Sequence, residues 1–474
     1  MDLAKLIRAT HPHYDALKES WDFYLASYEG GGSYITSRNL FNHVREDPGD
    51  YADRLRRAYY LNYCRAVVDT WTSHLFRKPA SRRTDSDDLA AFLGHVDTAG
   101  SPIERFIAER VAPMTMVFGT TWILVDMPRP EQAPASLAEQ REAGLSPYAV
   151  FLHPQDVTNW AVDAEGELTW VRIREPHHPS TDPFAPADRP DFLWRTWTRD
   201  YWTLHDPRGR LVDGGPEAGH HGLGVVPIVR CTFERSRRYP GMGLSTLNDI
   251  ALVNREVFNL SSLLQEFLAR QCFNFLVLDE DLLSDEGRRK LGTSNALPGR
   301  PGAVLPQYVS PPVDPAAFLQ SEREQAIREI YRLALLPTVQ ATGRSQPASG
   351  IARAYDFHDA SGVLASRAAR LEQVERQLAH LAAAWLGIEA TVEIDYPRDF
   401  SATDLADELT RAIKALDLDI SPTFNREMKK RLHRRLLPGS PSAAIIDKEI
   451  DTGTAPTGDG PRPLDGTTPE NETA

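Results

Sequence analysis

The most constraining feature of the sequence is one long, unbroken helical period in its last third. Apolar residues recur every three or four positions, at Leu364, Ala368, Leu371, Val374, Leu378, Leu381 and Trp385. This spacing predicts a helix from about Ile351 to Leu386. At about 1.5 Å per residue the helix would be roughly 50 Å long, well above the mean for a globular protein. It is therefore the organising element of the chain.

Two further helices precede this long one. Apolar periodicity predicts the first from about Ser245 to Arg270 and the second from about Asp314 to Leu335. A short β-type insert separates them, starting at Phe275–Leu278 and continuing as a Gly/Pro-rich run to Pro312. A loop from Leu336 to Ser349, rich in Thr, Gln, Ser, Gly and Pro, then leads into the long helix.

The sequence upstream changes from helical to β-type patterns. The clearest helix is predicted from Tyr51 to Arg77, with Asp50 as its N-cap and Pro79 closing it, and another from Ile103 to about Val111. Short apolar or alternating runs then predict a mainly β module between Thr121 and Phe233. Its strands are Trp122–Val125, Tyr148–Phe151, Leu168–Glu175, Phe192–Thr198, Tyr201–His205 and Val225–Val229. The proline in the last strand favours an edge position.

The C-terminal end combines short elements with a polar tail. One strand is predicted at Thr391–Asp395, followed by helices at Asp404–Leu416 and Ser421–Leu436. The segment Asp451–Ala474 contains almost nothing apolar, and its composition predicts disorder. The predicted class is α+β and mainly helical.

Composition limits the kind of protein this can be. The chain has 474 residues and a net charge of −13, which disfavours a protein that grips nucleic acid but not one that lets it pass. Its 3 cysteines, Cys64, Cys231 and Cys272, are widely spaced, which argues against a disulfide framework and favours buried thiols in a reducing compartment. No apolar run is long enough to span a bilayer, and Met1–Thr10 lacks the apolar core of a signal peptide. We expect a cytoplasm-like environment and no membrane.

No motif for catalysis or cofactor binding is recognisable. Gly287–Ser294 has the glycine spacing of a phosphate loop, but Thr293 stands where the lysine must be. Asp279–Asp281 resembles the opening of a calcium loop whose later positions fail. Gly241-Met242-Gly243 lacks the context of a dinucleotide site and is interpreted as a hinge into the following helix. We expect no catalytic residue, no cofactor and no enzymatic activity.

Three histidine pairs are further candidates for metal ligands. They are His11 with His13, His177 with His178, and His220 with His221. None lies beside Cys or a carboxylate at zinc spacing, and all are in loop-like sequence. We interpret them as solvent-exposed loop residues and expect no metal site.

The order of these elements, together with several local motifs, resembles the portal proteins of tailed bacteriophages. The motifs are His13-Tyr-x-x-x-Lys18-x-x-Trp21, Tyr51-x-x-Arg54-Leu-x-Arg57-Ala58-x-x-x-Asn62, Leu223-Gly224-Val-Val226-Pro227-Ile-Val229, Gly243-Leu-Ser245-x-Leu247 with Asp249-Ile-Ala-x-x-Asn254, Ser349-Gly350-x-Ala352, and Tyr396-Pro397-x-Asp399-Phe400. Each motif alone is weak, but their order and spacing over residues 11 to 450 are fairly specific.

The resemblance implies a division of the chain into modules. Residues 1–244 would form the wing, 245–271 stem helix 1, 272–313 the clip, 314–335 stem helix 2 and 336–350 the tunnel loop. Residues 351–398 would form the long wing helix and strand, 399–450 the crown and 451–474 a disordered tail.

The resemblance also implies a function and partners. About twelve copies would form a ring at one capsid vertex, through which double-stranded DNA is packaged and ejected. The ring would dock the terminase large subunit, a head–tail adaptor, and the major capsid and scaffolding proteins, and it would be located in the virion after assembly in the host cytoplasm. Energy for translocation would come from the separate motor.

Two segments are the candidate contact sites. We hypothesise that the tunnel loop faces the lumen and makes weak phosphate contacts through Thr338, Gln340, Thr342, Arg344, Ser345 and Gln346. The clip carries Arg288, Arg289, Lys290 and Arg300, which would suit an acidic partner. An ordinary solvent loop and a solvated basic loop are the respective alternatives.

Two other classes of protein stay open. One is an enzyme with a helical body and a β-rich substrate module, because active sites assembled from distant residues leave no local motif. The other is a different virion structural protein, such as a head–tail adaptor, although adaptors are usually much shorter. Closed rings seen by electron microscopy would favour the portal, and a compact monomer would exclude it.

Overall fold

The computed structural model describes residues 2–129, 145–177, 191–272, 275–277, 307–309, 314–336, 350–400, 412–436 and 442–452. The chain divides after Phe400 into two compact units. Helices and strands both occur in the larger unit, and helices supply most of its regular structure, so the α+β class is confirmed.

The N-terminal part of the larger unit is helical. Its helices are α1 (Leu3–Ile7), α2 (Pro12–Glu29), α3 (Pro48–Arg57), α4 (Tyr63–Leu75) and α5 (Asp87–Gly94). Then come α6 (Ile103–Phe106), a π-helical turn (Ile107–Val111) and α7 (Ala112–Phe118), which follow one another without a break. The predicted helix Ile103–Val111 therefore continues to Phe118.

The single helix predicted from Tyr51 to Arg77 is wrong, because two helices occupy this stretch. Helix α3 is capped by Asp47, whose side chain accepts a hydrogen bond from the Gly49 amide at 2.8 Å, and it ends where Ala58 turns extended. Helix α4 is capped afresh by Asn62, whose Oδ1 accepts from the Arg65 amide at 2.8 Å. The side-chain caps of Asp47 and Asn62 start two separate helices in a stretch whose apolar spacing alone predicts one helix.

Two antiparallel sheets form the β module. One has the strand order β3 (Tyr148–Leu152), β2 (Thr120–Asp126), β9 (Ile228–Thr232). The other is a meander of five strands, which are β4 (Val157–Val162), β5 (Leu168–His177), β6 (Asp191–Thr198), β7 (Trp202–His205) and β8 (Leu211–Gly214). The predicted strands Phe192–Thr198 and Tyr201–His205 pair as a hairpin that turns at Arg199-Asp200, with Trp197 opposite Trp202. Strands β4 and β8 were not predicted.

The proline-containing strand is at an edge, as predicted, but it starts later in the sequence. Strand β9 pairs with β2 alone and begins at Ile228, directly after Pro227. Proline has no N–H to donate to a strand ladder, whereas its carbonyl is free to accept. The Pro227 carbonyl accepts from the Val125 amide at 2.9 Å. Pro227 is therefore bonded to β2 although it precedes the first residue of β9.

The three predicted helices are confirmed, with small shifts at their ends. They are α8 (Ile250–Cys272), α9 (Asp314–Leu333) and the long helix α10 (Gly350–Leu386) of 37 residues. Between α8 and α9, strands β10 (Phe275–Val277) and β11 (Gln307–Val309) pair antiparallel. The start of α8 was predicted five residues early because Ser245 begins a turn there rather than a helix.

A strand near the end of the larger unit pairs with a strand in its N-terminal part. Strand β12 (Val392–Asp395) is not single, since it pairs antiparallel with β1 (Ser81–Thr84), and Arg82 lies opposite Ile394. One hydrophobic core, which includes Trp71, Trp122 and Leu371, connects the helices, both larger sheets and the long helix.

The smaller unit is helical where it is described. Residues 412–417 are helical, and α11 (Pro422–Leu436) and α12 (Ala443–Thr452) follow. The predicted Ser421–Leu436 helix is confirmed, whereas 404–411 and the tail from 453 lie outside the described residues. Across the described parts of both units, no helix combines the length and apolarity needed to cross a membrane.

Candidate functional site

Helices α8 and α9 pack against each other as an antiparallel pair, and strands β10 and β11 lie between them in the sequence. We call the end of this pair that joins the rest of the larger unit its base, and the β10/β11 end its tip.

The entry to α8 is fixed on helix α7 by backbone and hydroxyl contacts. The Ser245 hydroxyl donates to the Val117 carbonyl at 2.6 Å and accepts from the Leu247 amide at 2.9 Å. The next amide, that of Thr246, donates to the Met116 carbonyl at 2.9 Å. These bonds connect the last turn of one helix to the first turn leading into the other, so the direction of α8 is set before the helix begins.

The predicted hinge at Gly241–Gly243 is instead a tightly packed contact. A Cβ on Gly243 would lie 1.9 Å from the Gly119 carbonyl oxygen, and a Cβ on Gly119 would lie 2.6 Å from the Gly243 carbonyl oxygen. The Gly243 amide donates to the Thr120 hydroxyl at 2.7 Å. Glycine is required here for close backbone approach, which makes this junction rigid.

A buried arginine on the long helix also contacts the entry to α8. The Arg367 guanidinium donates to the Thr246 hydroxyl at 3.0 Å and to the Met116 sulfur at 3.4 Å. It lies over the Trp71 ring, 4.7 Å from its centre. Burial lowers the pKa of the Arg367 guanidinium to about 10. The aromatic face offsets part of the cost of burying this charge, and α10 is thereby connected to the base of the pair.

Asn254 connects α8 to the break between α3 and α4. Its Oδ1 accepts from the Tyr60 hydroxyl at 2.7 Å and from the Tyr63 and Cys64 amides at 3.1 and 3.2 Å. Its Nδ2 donates to the Leu61 carbonyl at 2.9 Å. One fully buried amide therefore satisfies four polar groups of a segment almost 200 residues away. Burial raises the pKa of the Cys64 thiol to about 12, so it is inert at neutral pH.

A second polar cluster holds the middle of α8. Arg54, only 4% exposed, donates to both oxygens of Glu46 at 2.7 and 2.8 Å and to the Ser262 hydroxyl at 3.2 Å. The hydrogen bonds from Arg54 lower the pKa of the Glu46 carboxyl. The Asn259 side chain accepts from the Phe41 amide at 2.9 Å and donates to the Asn39 carbonyl at 2.9 Å. The segment around residue 40 is thus fastened along one side of α8.

The base of α9 is held by α4. The Trp71 indole N–H donates to the Ala334 carbonyl at 3.1 Å, and the Tyr331 ring meets the Tyr63 ring edge-on, with centroids 6.2 Å apart. Ile330 and Ala334 are buried. Both helices of the pair are therefore anchored at the same end.

Away from these contacts, each helix has an exposed face with large apolar side chains. On α8, Leu252 is 48% exposed and Leu263 is 44% exposed. On α9, Phe318 is 64% exposed. Phe41 and Val44, from the segment fastened beside α8, are exposed as well. Exposed apolar surface on a firmly held helix pair is typical of a protein interface.

None of the contact residues predicted from the sequence belongs to the clusters that hold α8 and α9 or to the exposed faces of these helices. The tunnel-loop candidates Thr338, Gln340, Thr342, Arg344, Ser345 and Gln346 lie outside the described residues. The clip candidates Arg288, Arg289, Lys290 and Arg300 also lie outside them, as do Asp279–Asp281 and Gly287–Ser294. Their roles stay predictions.

The exposed faces of the pair were missed from the sequence. Leu252, Glu256 and Leu263 share a face by helical spacing, and so do Phe318, Ser321 and Arg328. That spacing is a usable signal. It cannot tell an outward face from an inward one, because the sequence does not show which sides of α8 and α9 pack within the chain.

The histidines were expected in exposed loops, and this is wrong for four of them. His11 caps α2 and stacks on Trp160, with ring centroids 4.0 Å apart. His13 lies half-buried in α2, and the half-buried His221 contacts the Thr198 carbonyl at 3.2 Å. His177 is exposed but is the last residue of strand β5, where it pairs with Asp191. His220 is exposed, and His178 is outside the described residues.

Neither metal ligation nor disulfide bonding is indicated in the part of the chain that the structure describes. No group of three or more His, Cys, Asp or Glu side chains that could hold a metal ion occurs there. Cys64 and Cys231 are free and buried, as the sequence predicts for both.

No protein-family model matches the chain. No curated protein matches it either.

Two of the solved structures to which the chain is similar are parts of gene transfer agent particles. One is a chain in the virion of a native gene transfer agent particle, 14% identical, with a TM-score of 0.43 over 92% of this chain and 99% of that chain. A second comes from the neck of the native particle, computed with C12 symmetry. It is also 14% identical, with a TM-score of 0.43 over 80% of this chain and 90% of that chain. Both TM-scores lie below 0.5, and no conclusion about this chain is drawn from them.

Proposed function

We propose that this chain is a non-enzymatic ring subunit, the portal of a tailed-phage-like virion. About twelve copies would surround a channel at one capsid vertex, through which double-stranded DNA is packaged and ejected. The observation that carries the proposal is the α8/α9 pair, which is anchored at its base and keeps large apolar side chains exposed on both helices.

The physical argument concerns what such a pair can do in a monomer and in a ring. Apolar faces left in water are unfavourable by about 25 cal/mol per Å². In a ring, each pair lies between two neighbours, and its two outward faces are covered. Anchoring at the base keeps the pairs at a fixed angle to the rest of the unit, as the wall of a channel requires.

The modules follow from this assignment. Helices α8 and α9 would be the two stem helices, residues 272–313 the clip at the tip, and residues 336–350 the tunnel loop. The long helix α10 would be the spine of the wing, and the smaller unit the crown. The clip would then be the docking point for the packaging motor and, later, for head–tail adaptors.

Charge supports a channel through which DNA moves. The net charge of −13 disfavours tight binding of phosphates by the ring as a whole. Each Lys or Arg contact to phosphate adds salt-dependent affinity and would slow translocation. An acidic wall keeps the DNA hydrated and mobile, and a loop with a single base, Arg344, makes only weak contacts.

Electron microscopy and native mass spectrometry of the purified full-length chain test the proposal. We expect closed rings of about twelve copies with a central hole. A chain that stays a compact monomer at all concentrations would refute the proposal, and so would nucleotide hydrolysis by the purified chain alone.

The tunnel-loop proposal has a separate test. Deleting residues 340–346 should leave rings intact but reduce DNA packaging, because the loop would lie in the lumen rather than between subunits. A deletion that changes neither packaging nor ring formation would show that this segment is an ordinary solvent loop.

A further inference from the structure

The exposed faces of α8 and α9 differ in charge as well as in shape. On α8 the exposed side chains at one helical face are Leu252, Glu256 and Leu263, flanked by the half-buried Leu260 and Phe267. On α9 the exposed face contains Phe318, Ser321, Gln325, Arg328 and Arg332, and the exposed Glu324 lies at its edge, one turn before Arg328. We call these the acidic face and the basic face. The central charge is Glu256 on the acidic face and Arg328 on the basic face, and their signs are opposite.

The central charges of these faces have no partner within the described part of the chain. Neither Glu256 nor Arg328 has an ion-pair partner there, and both are exposed. Arg332 does pair with Glu329 on its own helix at 2.5 Å. Glu256 lies between the exposed Leu252 and Leu263, whereas the neighbours of Arg328 on its face are polar and the apolar Phe318 lies nearer the tip.

The two charges also lie at the same height along the pair. Near the base, the Tyr63 amide bonds to Asn254 while the Tyr63 ring contacts Tyr331, so these two residues mark a common level. Glu256 is two residues from Asn254 toward the tip, and Arg328 is three residues from Tyr331 toward the tip. At about 1.5 Å per residue, Glu256 lies roughly 3 Å and Arg328 roughly 4.5 Å from these two residues toward the tip, so both charges are within one helical turn of this level.

We infer that the acidic face of one copy packs against the basic face of the next copy in the ring, with Glu256 paired to Arg328. This inference rests on the proposed ring. In a ring whose axis runs along the helix pair, rotation preserves height, so residues of neighbouring copies meet when they lie at the same level on the two outward faces. Two different faces in contact make a head-to-tail interface, which forms a ring when the rotation closes and does not stop at a dimer.

The apolar residues fit the same arrangement. Phe318 lies near the tip at about the level of Phe267, and Leu263 is at about the level of Ser321. Packing the two faces together therefore covers Leu263 and Phe318 near the tip and places the charge pair nearer the base. Charged pairs at an interface fix its register and exclude wrong partners.

Charge exchange tests the inference. Glu256→Arg and Arg328→Glu should each weaken subunit association by about tenfold or more, because each places like charges together. The double exchange should restore ring formation to near the wild-type level. The matched control exchanges Glu19 and Arg237, exposed charges away from both helices, as Glu19→Arg with Arg237→Glu, and should assemble like wild type. Ring fraction is measured by native mass spectrometry, and thermal unfolding by circular dichroism establishes that each variant is folded.

Cysteine pairs supply a second measurement that does not depend on affinity. In a Cys272→Ser background, Glu256→Cys with Arg328→Cys should form disulfides between copies on mild oxidation, giving a ladder of multimers on a non-reducing gel. A bond within one chain would leave a monomer band, so the ladder reports bonds between copies. Each single cysteine variant should give no ladder beyond the dimer.

The outcomes separate this inference from the proposed function. The Glu256–Arg328 pairing would be overturned, with the ring left in place, if the wild type forms rings and the single exchanges assemble normally. It would also be overturned if the double exchange fails to restore assembly. A wild-type chain that forms no ring would overturn both.

Discussion

The buried ion pair between Arg82 and Glu375 should be the most sensitive point of the β1/β12 sheet. Arg82 on β1 donates to both carboxyl oxygens of Glu375 on the long helix, at 2.7 and 2.8 Å. Glu375 is fully buried and Arg82 is 13% exposed. The hydroxyl of Tyr396, just after β12, also donates to Glu375. One carboxylate therefore connects both strands of the sheet to α10.

The perturbation is Glu375→Gln, which keeps the shape of the side chain but removes its charge. The Arg82 guanidinium is then left buried without a counter-ion, and breaking a buried pair in this way costs about 3–5 kcal/mol. Replacing all three groups by apolar ones, with Arg82→Met, Glu375→Met and Tyr396→Phe, should cost far less. No buried charge remains, and no buried hydroxyl is left without an acceptor, which alone would cost about 1–3 kcal/mol.

Hydrogen exchange of the amides of β1 and β12, together with urea unfolding, measures the effect. We expect both strands to exchange much faster in Glu375→Gln and close to the wild-type rate in the triple variant. The reasoning would be refuted by a Glu375→Gln variant within about 0.5 kcal/mol of wild type. A triple variant less stable than Glu375→Gln would refute it equally.

Three further outcomes are expected. Burial lowers the pKa of His11, and its Nδ1 accepts from the His13 amide at 3.0 Å. The free energy of unfolding should therefore fall as pH drops below the ordinary histidine pKa of about 6.5. The His11→Asn variant, which keeps an N-cap side chain, should show a smaller fall between urea titrations at pH 8 and pH 5.5. Asn254→Ala should lower the free energy of unfolding by at least about 3 kcal/mol, because several buried polar groups lose their partners, and a loss under 1 kcal/mol would contradict the role of Asn254 in holding α8. Gly119→Ala should lower the thermal midpoint, because the new Cβ would meet backbone at 2.6–2.7 Å, whereas Gly362→Ala, in open space on the long helix, should leave it unchanged or raise it.

Apolar periodicity was sufficient for the three large helices. The side chains of Leu364, Leu371 and Leu378 are fully buried along α10, as their spacing requires. Long, regular repeats over many turns leave little alternative to a helix, so local sequence determines the element.

Elements whose stability comes from distant partners were predicted poorly. Strand β1 has the sequence Ser-Arg-Arg-Thr, which carries no strand signal, and it forms because β12 pairs with it. The break between α3 and α4 depends on Asn62 and on the buried Asn254, which comes from a different helix. In both cases the deciding contact is between residues far apart in the sequence, and no local pattern reports it.

The candidate site divides in the same way. The order of the elements predicted the α8/α9 pair. The acidic and basic faces could be defined only from the structure. It shows that Val257 on α8 and Ile330 on α9 are buried, and therefore which side of each helix packs inward. Helical spacing groups residues into faces, but tertiary packing decides which face is left for a partner.

The pairing of β1 with β12 has a consequence for the order in which the chain folds during synthesis. Helix α8 can pack against α2–α4 as soon as it leaves the ribosome. The residues that contact its Asn254 and Ser262 side chains, Tyr60 and Arg54 among them, have already been synthesised by then. Arg82 must wait for Glu375, 293 residues later, which at about 5–20 residues per second takes roughly 15–60 s. The larger unit is therefore completed only when translation has passed β12, so a prematurely terminated chain lacks its closing strand and leaves a buried cation unpaired. Such chains would be excluded from assembly by instability rather than by any dedicated recognition step.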